Sequence, residues 1–297
     1  MPLEQKEKII RTIIEREKLR PLDRFTRLLK DPVRAFPYYI LAAIGHIKPF
    51  RITFKTLWCD KMTGYLPEAN TFYYYGNCEA NLTTFLLRYL KNDMTFIDVG
   101  AHIGFYSLLC GHLVNKVYSF EPTPWTYELL KDNTKKFINI TTTNAGASDI
   151  DGEFSFSDYG PGYGAYNSAS AEGTILRFKP QHITTKTVQL DSFFEKNLIH
   201  PDFIKLDAEG FEHKILAGLT KTLRNDRPLI TLEMAGDEKW AENCKKSSDI
   251  LFTAIYESYE MTVDGFLVKC SVKPPYTYTN ILFIPIEKID LVSNLIK

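Results

Sequence analysis

The 297-residue chain balances 36 Lys and Arg against 36 Asp and Glu, and 44% of it is hydrophobic. That composition is globular and excludes a disordered tail, while zero net charge offers nothing to drive counterion release from a polyanion. The balance is uneven, because residues 1–55 hold 13 basic and 6 acidic residues, a net +7 that leaves −7 for the remainder. The length suits one large domain, alone or with an appendage.

Residues 3–30 carry helical periodicity in Ile9, Ile10, Ile13 and Ile14, then in Leu22, Phe25, Leu28 and Leu29. Pro21 separates two helices there, and Pro32 and Pro37 break the next stretch. Residues 50–76 read as short strands with turns and end in the aromatic run TFYYYG. Residues 1–71 are expected to form a basic helical and short-strand cap on a domain formed by 72–297. The bland reading of its charges is a solvated face; the sharper one is a basic amphipathic surface that touches a membrane or an acidic partner. The start, MPLEQKEKIIRTIIEREK, is charged throughout and shows no signal peptide. The apolar run from Tyr38 to Ile44 is too short to span a bilayer. Five cysteines with no CxxC pair argue against a zinc site or a disulfide framework. A reduced, cytoplasmic, non-spanning protein is expected, with peripheral membrane contact through the basic N-terminus as the sharper alternative.

From residue 79 the pattern changes. Residues 79–91 read as a helix, MTFIDVG (94–100) as a buried strand, GFYSLLCGHLV (104–114) as a helix and KVYSFEP (116–122) as a second strand. A helix over 123–136 and a strand over 138–146 follow. Then come strand DFIKLD (202–207), a helix near 210–223 and strand PLITLEM (228–234). Alternating strands and helices predict a mostly parallel sheet with helices on both faces. Ligands bind such sheets at the carboxyl ends of the strands, where Asp98, Glu121, Asp207 and Glu233 fall.

The densest chemical signal is FIDVGAHIGFYSLL (96–109). Asp98 and Gly100 follow a strand, and Gly104 opens a helix. A dinucleotide site would want GxGxxG aimed at a pyrophosphate; here the spacing is GxxxG, with an acid two residues before the first glycine. That acid repels a pyrophosphate and suits a cation. Glu121, at the end of the next strand, is placed to accept two hydrogen bonds from a ribose diol. A cationic nucleoside without phosphate fits both features, and S-adenosylmethionine is that ligand. The bland reading is a turn whose acids only cap helices.

FIDVGAHIGFYSLL, SFEPTPWTYELLKDN (119–133), TVQLDSFF (187–194), DFIKLDAEGFEHKILAG (202–218) and LITLEM (229–234) occur in that order, and the chain resembles the FkbM-type methyltransferases over roughly 72–286. The resemblance implies a Rossmann-like class I fold: a seven-stranded, mostly parallel α/β sheet with an antiparallel last strand, TNILFIP (279–285), beside YEMTV (259–263). It implies O-methylation of a hydroxyl on a sugar, glycan or secondary metabolite. It places Asp98, Gly100 and Gly104 along the methionine side of the cofactor and Glu121 on the ribose. Glu79 either approaches the cofactor's ammonium group or merely starts a helix. His102 stands where many relatives have Asn, which leaves its cofactor contact open, and His213 reads as solvent-facing.

Methyl transfer to a hydroxyl needs alignment and a base near the acceptor. Asp207 and Glu209 are the candidates for that base. Acids two apart could also hold a divalent metal, although none is assigned, or Glu209 and Glu212 could simply brace the following helix. Asp191 reads as a helix cap. SDYGPGYGAYNSASAEG (157–173) reads either as a lid offering Tyr159, Tyr163 and Tyr166 to a sugar face or as a surface loop. A nucleic-acid methyltransferase has only the basic N-terminus in its favour and no NPPY-like tetrapeptide, so no nucleic acid is expected. A non-catalytic binding module is opposed by the intact motif set, and a nicotinamide dehydrogenase by the missing GxGxxG.

Overall fold

Strands buried on both faces need largely apolar runs, and FIKL and LITLEM, fully buried, supply them with Lys205, Thr231 and Glu233 as the polar exceptions. In the computed structural model, which describes residues 1–163, 179–234, 238–274 and 279–297, these runs lie at the centre of the main sheet. The strands are β1 (Arg51–Lys55), β2 (Lys61–Tyr65), β3 (Thr95–Val99), β4 (Lys116–Phe120), β5 (Ile140–Thr143), β6 (Gly146–Ser148) and β7 (Gly152–Asp158). They continue with β8 (Gln181–Gln189), β9 (Phe203–Leu206), β10 (Leu229–Met234), β11 (Tyr256–Met261), β12 (Leu267–Lys269) and β13 (Thr279–Pro285). The main sheet runs β12-β11-β13-β10-β9-β3-β4-β5. Its five strands from β10 to β5 pair in parallel, and β13 is antiparallel to both of its neighbours. β1 and β2 form a hairpin, and β6, β8 and β7 form a small third sheet.

The helices are α1 (Leu3–Glu17), α2 (Arg24–Lys30), α3 (Pro32–Ile47), α4 (Asn70–Tyr75), α5 (Ala80–Tyr89) and α6 (Phe105–Gly111). They continue with α7 (Pro124–Thr134), α8 (Leu190–Asn197), α9 (Glu212–Ala217), α10 (Thr220–Asn225) and α11 (Glu238–Thr253). Alternation along β3 sorts the core. Phe96 packs with Leu82, Phe85 and Leu86 of α5, whereas Ile97 and Val99 pack with Leu190, Ile215 and Leu251 on the opposite face. Ile9, Ile10 and Ile13 of α1 belong to the first of these cores, and α1 lies against α5.

Four expectations change. The main sheet has eight strands rather than seven, because a turn over Thr262–Gly265 folds β12 back onto β11. TFYYYG forms the helix α4 instead of a strand. Its start is set by Asn70 N–H donating to Pro67 and Tyr73 N–H to Ala69, and its rings pack against Tyr38 and Phe105. Tertiary contacts thus override aromatic strand preference. Pro32 starts α3, where it lacks nothing a first-turn residue needs, and Pro37 sits within it. The helix over 210–223 is split into α9 and α10 at Gly218, which lies against the Ser148 carbonyl. Among the described residues no helix is long and apolar enough to cross a membrane.

Candidate active site

The turn from β3 into α6 is fixed by backbone. The N–H groups of Gly100 and Ala101 both donate to the Phe120 carbonyl at 3.0 Å. Gly100 has φ +74°, and a Cβ there would lie 1.8 Å from the Asp207 carbonyl oxygen. Only glycine allows this approach, which draws the β3 and β9 loops together. Gly104, at φ +90°, caps α6 and faces Leu130. His102 lies between the two glycines at φ +51°. Its Nε2 is 3.0 Å from Glu68, an ion pair outside hydrogen-bond alignment. Burial opposes its charge, but Glu68, Glu121 and Asp207 outweigh that and raise its pKa to about 9.

Glu121 is held by backbone. Its two oxygens accept from His102 N–H and Thr123 N–H, each at 2.9 Å. Burial raises its pKa against these stabilising bonds.

The corner after β9 is built from side chains. Lys205 is buried and its Nζ lies 2.8 Å from Asp207 and 3.9 Å from Asp98. Burial opposes its charge, yet Asp207, Asp98 and Glu79 prevail and keep it protonated. Burial likewise works against the Asp207 carboxylate, but Lys205 and a hydrogen bond with Glu233 lower its pKa. Glu209 has the opposite fate. It sits at φ +51°, and burial, Asp207 and Glu212 push its pKa up to about 9. Glu212 braces the loop by accepting from Ala208 N–H at 2.7 Å and Gly210 N–H at 3.4 Å. Oxygens of Asp207, Glu209 and Glu233 lie within 4.8 Å of one another, close enough to hold a hard cation.

Glu79 precedes α5, and its Oε2 accepts from the Tyr106 hydroxyl at 2.8 Å. Its other oxygen accepts from Asn280 of β13. Burial, then Asp207, raises its pKa.

These groups surround one cavity of about 390 Å³. Of the residues expected from the sequence, Glu79, Gly100, His102, Glu121, Asp207 and Glu209 line it. Asp98 stands behind the wall, fully buried, accepting from Ser107 at 2.6 Å, and Gly104 sets the turn. Sequence reasoning missed Lys205, Glu68 and Tyr106, and it put Glu233 at the ligand edge of the sheet without giving it a role. A lysine inside an otherwise apolar strand was the one available signal, since such a residue is seldom buried unpaired. Phe154, Phe156 and Phe211 add an aromatic wall. Tyr159 and Tyr163 are buried, so neither is open to a sugar face, and Tyr166 lies outside the described residues. Asp191 does cap, accepting from the N–H groups of Lys221 and Thr222 at the start of α10 rather than on its own helix.

A parallel sheet of this strand order, with an antiparallel strand inserted beside β10 and acids around a cavity at its carboxyl edge, is the Rossmann-like class I methyltransferase architecture. The model of the methyltransferase FkbM domain matches residues 98–260, more than half the chain, and the chain belongs to that family. It is 28% identical over 160 residues to the hexuronic acid methyltransferase AglP of Haloferax volcanii, covering 53% of this chain and 63% of that one. The chain thus spans less than two thirds of this relative. Among solved structures, an FkbM methyltransferase from Methylobacillus flagellatus is 15% identical with a TM-score of 0.46, covering 73% of this chain and 54% of that one. Aeropyrum pernix fibrillarin with bound S-adenosyl-L-methionine is 11% identical with a TM-score of 0.40, covering 68% of this chain and 73% of that one.

Proposed function

We propose that the protein is an S-adenosylmethionine-dependent methyltransferase acting on a hydroxyl of a sugar or glycan. The observation that carries this reading is one cavity flanked by two unlike acidic corners, Glu121 and the Asp207–Glu209 pair. The wall fits such a nucleoside. The buried Thr126 hydroxyl on the wall has no partner among the described residues, which leaves it available to a polar group of the ligand. Six carboxyl groups against two cations, Lys205 and His102, on the described lining suit a cationic ligand and an uncharged reacting end of the acceptor.

When bound, S-adenosylmethionine supplies an electrophilic methyl group on a positive sulfonium. Glu121 would hold the ribose hydroxyls, and the Gly100–His102 backbone and Glu79 would hold the methionine end. Glu209, once ionised, accepts the proton of the acceptor hydroxyl. Asp207, kept ionised by Lys205, is too weak a base for that step and orients the loop. Asp98 positions Lys205 from behind the wall. Residues 1–71 form a cap that brings Glu68 and Thr71 to the cavity. The relative named for methylating a hexuronic acid supports a sugar acceptor.

Titration calorimetry with S-adenosylmethionine, followed by mass spectrometry of glycans incubated with isotopically labelled cofactor, tests this. Binding and a labelled O-methyl sugar are expected. Absence of binding overturns the reading, and binding without transfer to any acceptor would leave a non-catalytic module.

A further inference from the structure

The basic N-terminal region contains two helices with apolar stripes, and the fold treats them differently. The stripe of α1 is buried against α5. The stripe of α3 is not. Val33, Phe36, Ile40, Ile44 and Ile47 recur at intervals of three and four, which at 100° per residue confines them to an arc of about 80°. All five are exposed among the described residues, Val33 at 81%, Phe36 at 63% and Ile47 at 82%. The opposite face of the helix does its packing, with Ala35 buried, Tyr38 against Tyr74, and Gly45 against Leu66. α2, packed on α3, adds exposed Phe25 and Leu29.

The charges around this stripe are mostly basic, although Arg34 pairs with the N-cap Asp31 at 2.6 Å and Arg51 lies 3.9 Å from Asp132. No acid occurs between Asp31 and Asp60, whereas Arg34, Lys48, Arg51 and Lys55 do. Lys30 and Lys48 bracket the ends of α3 and are exposed. A protein partner with a matching apolar groove would need no such bias. We infer that the exposed face of α3, extended by α2, docks flat on a bilayer containing anionic lipid, with the stripe among the acyl chains and the lysines at the headgroups. Sixteen residues with an arginine and an internal proline suit lying in the interface, not crossing it. The inner face of α3 rests on Leu66 and α4, and Glu68 just before α4 and Thr71 and Phe72 within it line the cavity, so docking would hold the cavity within one helix layer of the membrane.

Co-sedimentation of the full chain with vesicles tests this, using equal parts phosphatidylcholine and phosphatidylglycerol against phosphatidylcholine alone. The wild-type chain should sediment with the mixed vesicles and much less with the neutral ones. The triple variant Phe36→Ser/Ile40→Ser/Ile44→Ser should bind at least about tenfold more weakly, and Lys30→Ala/Lys48→Ala should lose most of the anionic preference. All substituted side chains are exposed, so the unfolding midpoint should stay unchanged and confirm that the variants fold. Wild type that does not sediment, or a triple variant that sediments equally well, overturns the inference. So does a lipid-free dimer that the triple variant converts to monomer, which would assign the stripe to a second copy. None of these readouts depends on methyl transfer.

Discussion

The two acidic corners of the cavity are made by different means. Glu121 receives two backbone N–H groups from its own loop and the neighbouring one, so its position follows from the main chain. The β9 corner depends on side chains: one buried lysine among Asp98, Asp207 and Glu79, and a glutamate in left-handed backbone raised to a pKa of about 9. The first corner is held in place by backbone N–H groups, as the proposed binding role of Glu121 requires. The second stores electrostatic and backbone strain, which is where proton transfer is best placed.

Substitutions should separate the corners. Glu209→Gln is expected to lower kcat by roughly 10²–10⁴-fold, the usual range for a general base, with cofactor affinity nearly unchanged. Wild-type turnover should rise with pH toward the Glu209 pKa of about 9. The same residue has a stability signature of the opposite sense. Its folded pKa lies above the ordinary 4.5, so its contribution is fully present below that value and is lost as pH rises through about 9. Glu209→Gln should therefore melt higher than wild type at neutral pH while turning over more slowly. Equal melting and equal turnover would erase the contrast between the corners.

Lys205→Met leaves Asp98 and Asp207 without their cation. Breaking a buried pair costs about 3–5 kcal/mol, readable in urea unfolding. Gly100→Ala forces a Cβ toward the Asp207 carbonyl in left-handed backbone and strikes both corners at once. A stability loss of at least about 1–3 kcal/mol and loss of cofactor binding by calorimetry are expected. Glu121→Gln should act on binding alone, weakening the cofactor about tenfold, or ~1.4 kcal/mol, with kcat at saturation little changed. The smallest effect expected is that of EDTA. Lys205 already offsets the acids near Asp207 and Glu209 carries a proton, so chelation should leave initial rates unchanged. A loss of activity restored by magnesium would instead make the Asp207, Glu209 and Glu233 oxygens a metal site.

The Glu121 corner is legible in the amino-acid sequence because its parts are local. A strand ending in Glu, beside a strand ending in DVG, places an acid at a predictable edge. The β9 corner is half legible. DAEG marks Asp207 and Glu209, but Lys205 reads as an oddity within FIKLD until β3 is laid beside β9. Glu233 is legible as a strand-end acid, whereas Glu68 reaches the cavity from a distant segment, and no spacing announces that contact. Phe154 and Phe156 alternate along β7 toward the site, while Tyr159 and Tyr163, expected at a sugar face, turn inward.

The sequence by itself determined the elements and their order, since periodicity and punctuation act over a few residues. It set the parallel sheet, the glycine turn and the acids at strand ends. Only the tertiary structure decided that TFYYYG is a helix, that Lys205 is the cation set among Asp98, Asp207 and Glu79, and that α1 buries its stripe whereas α3 shows its own. A periodic pattern says that a face exists. Which partner covers it depends on contacts between residues far apart in the chain, and one segment does not carry that information.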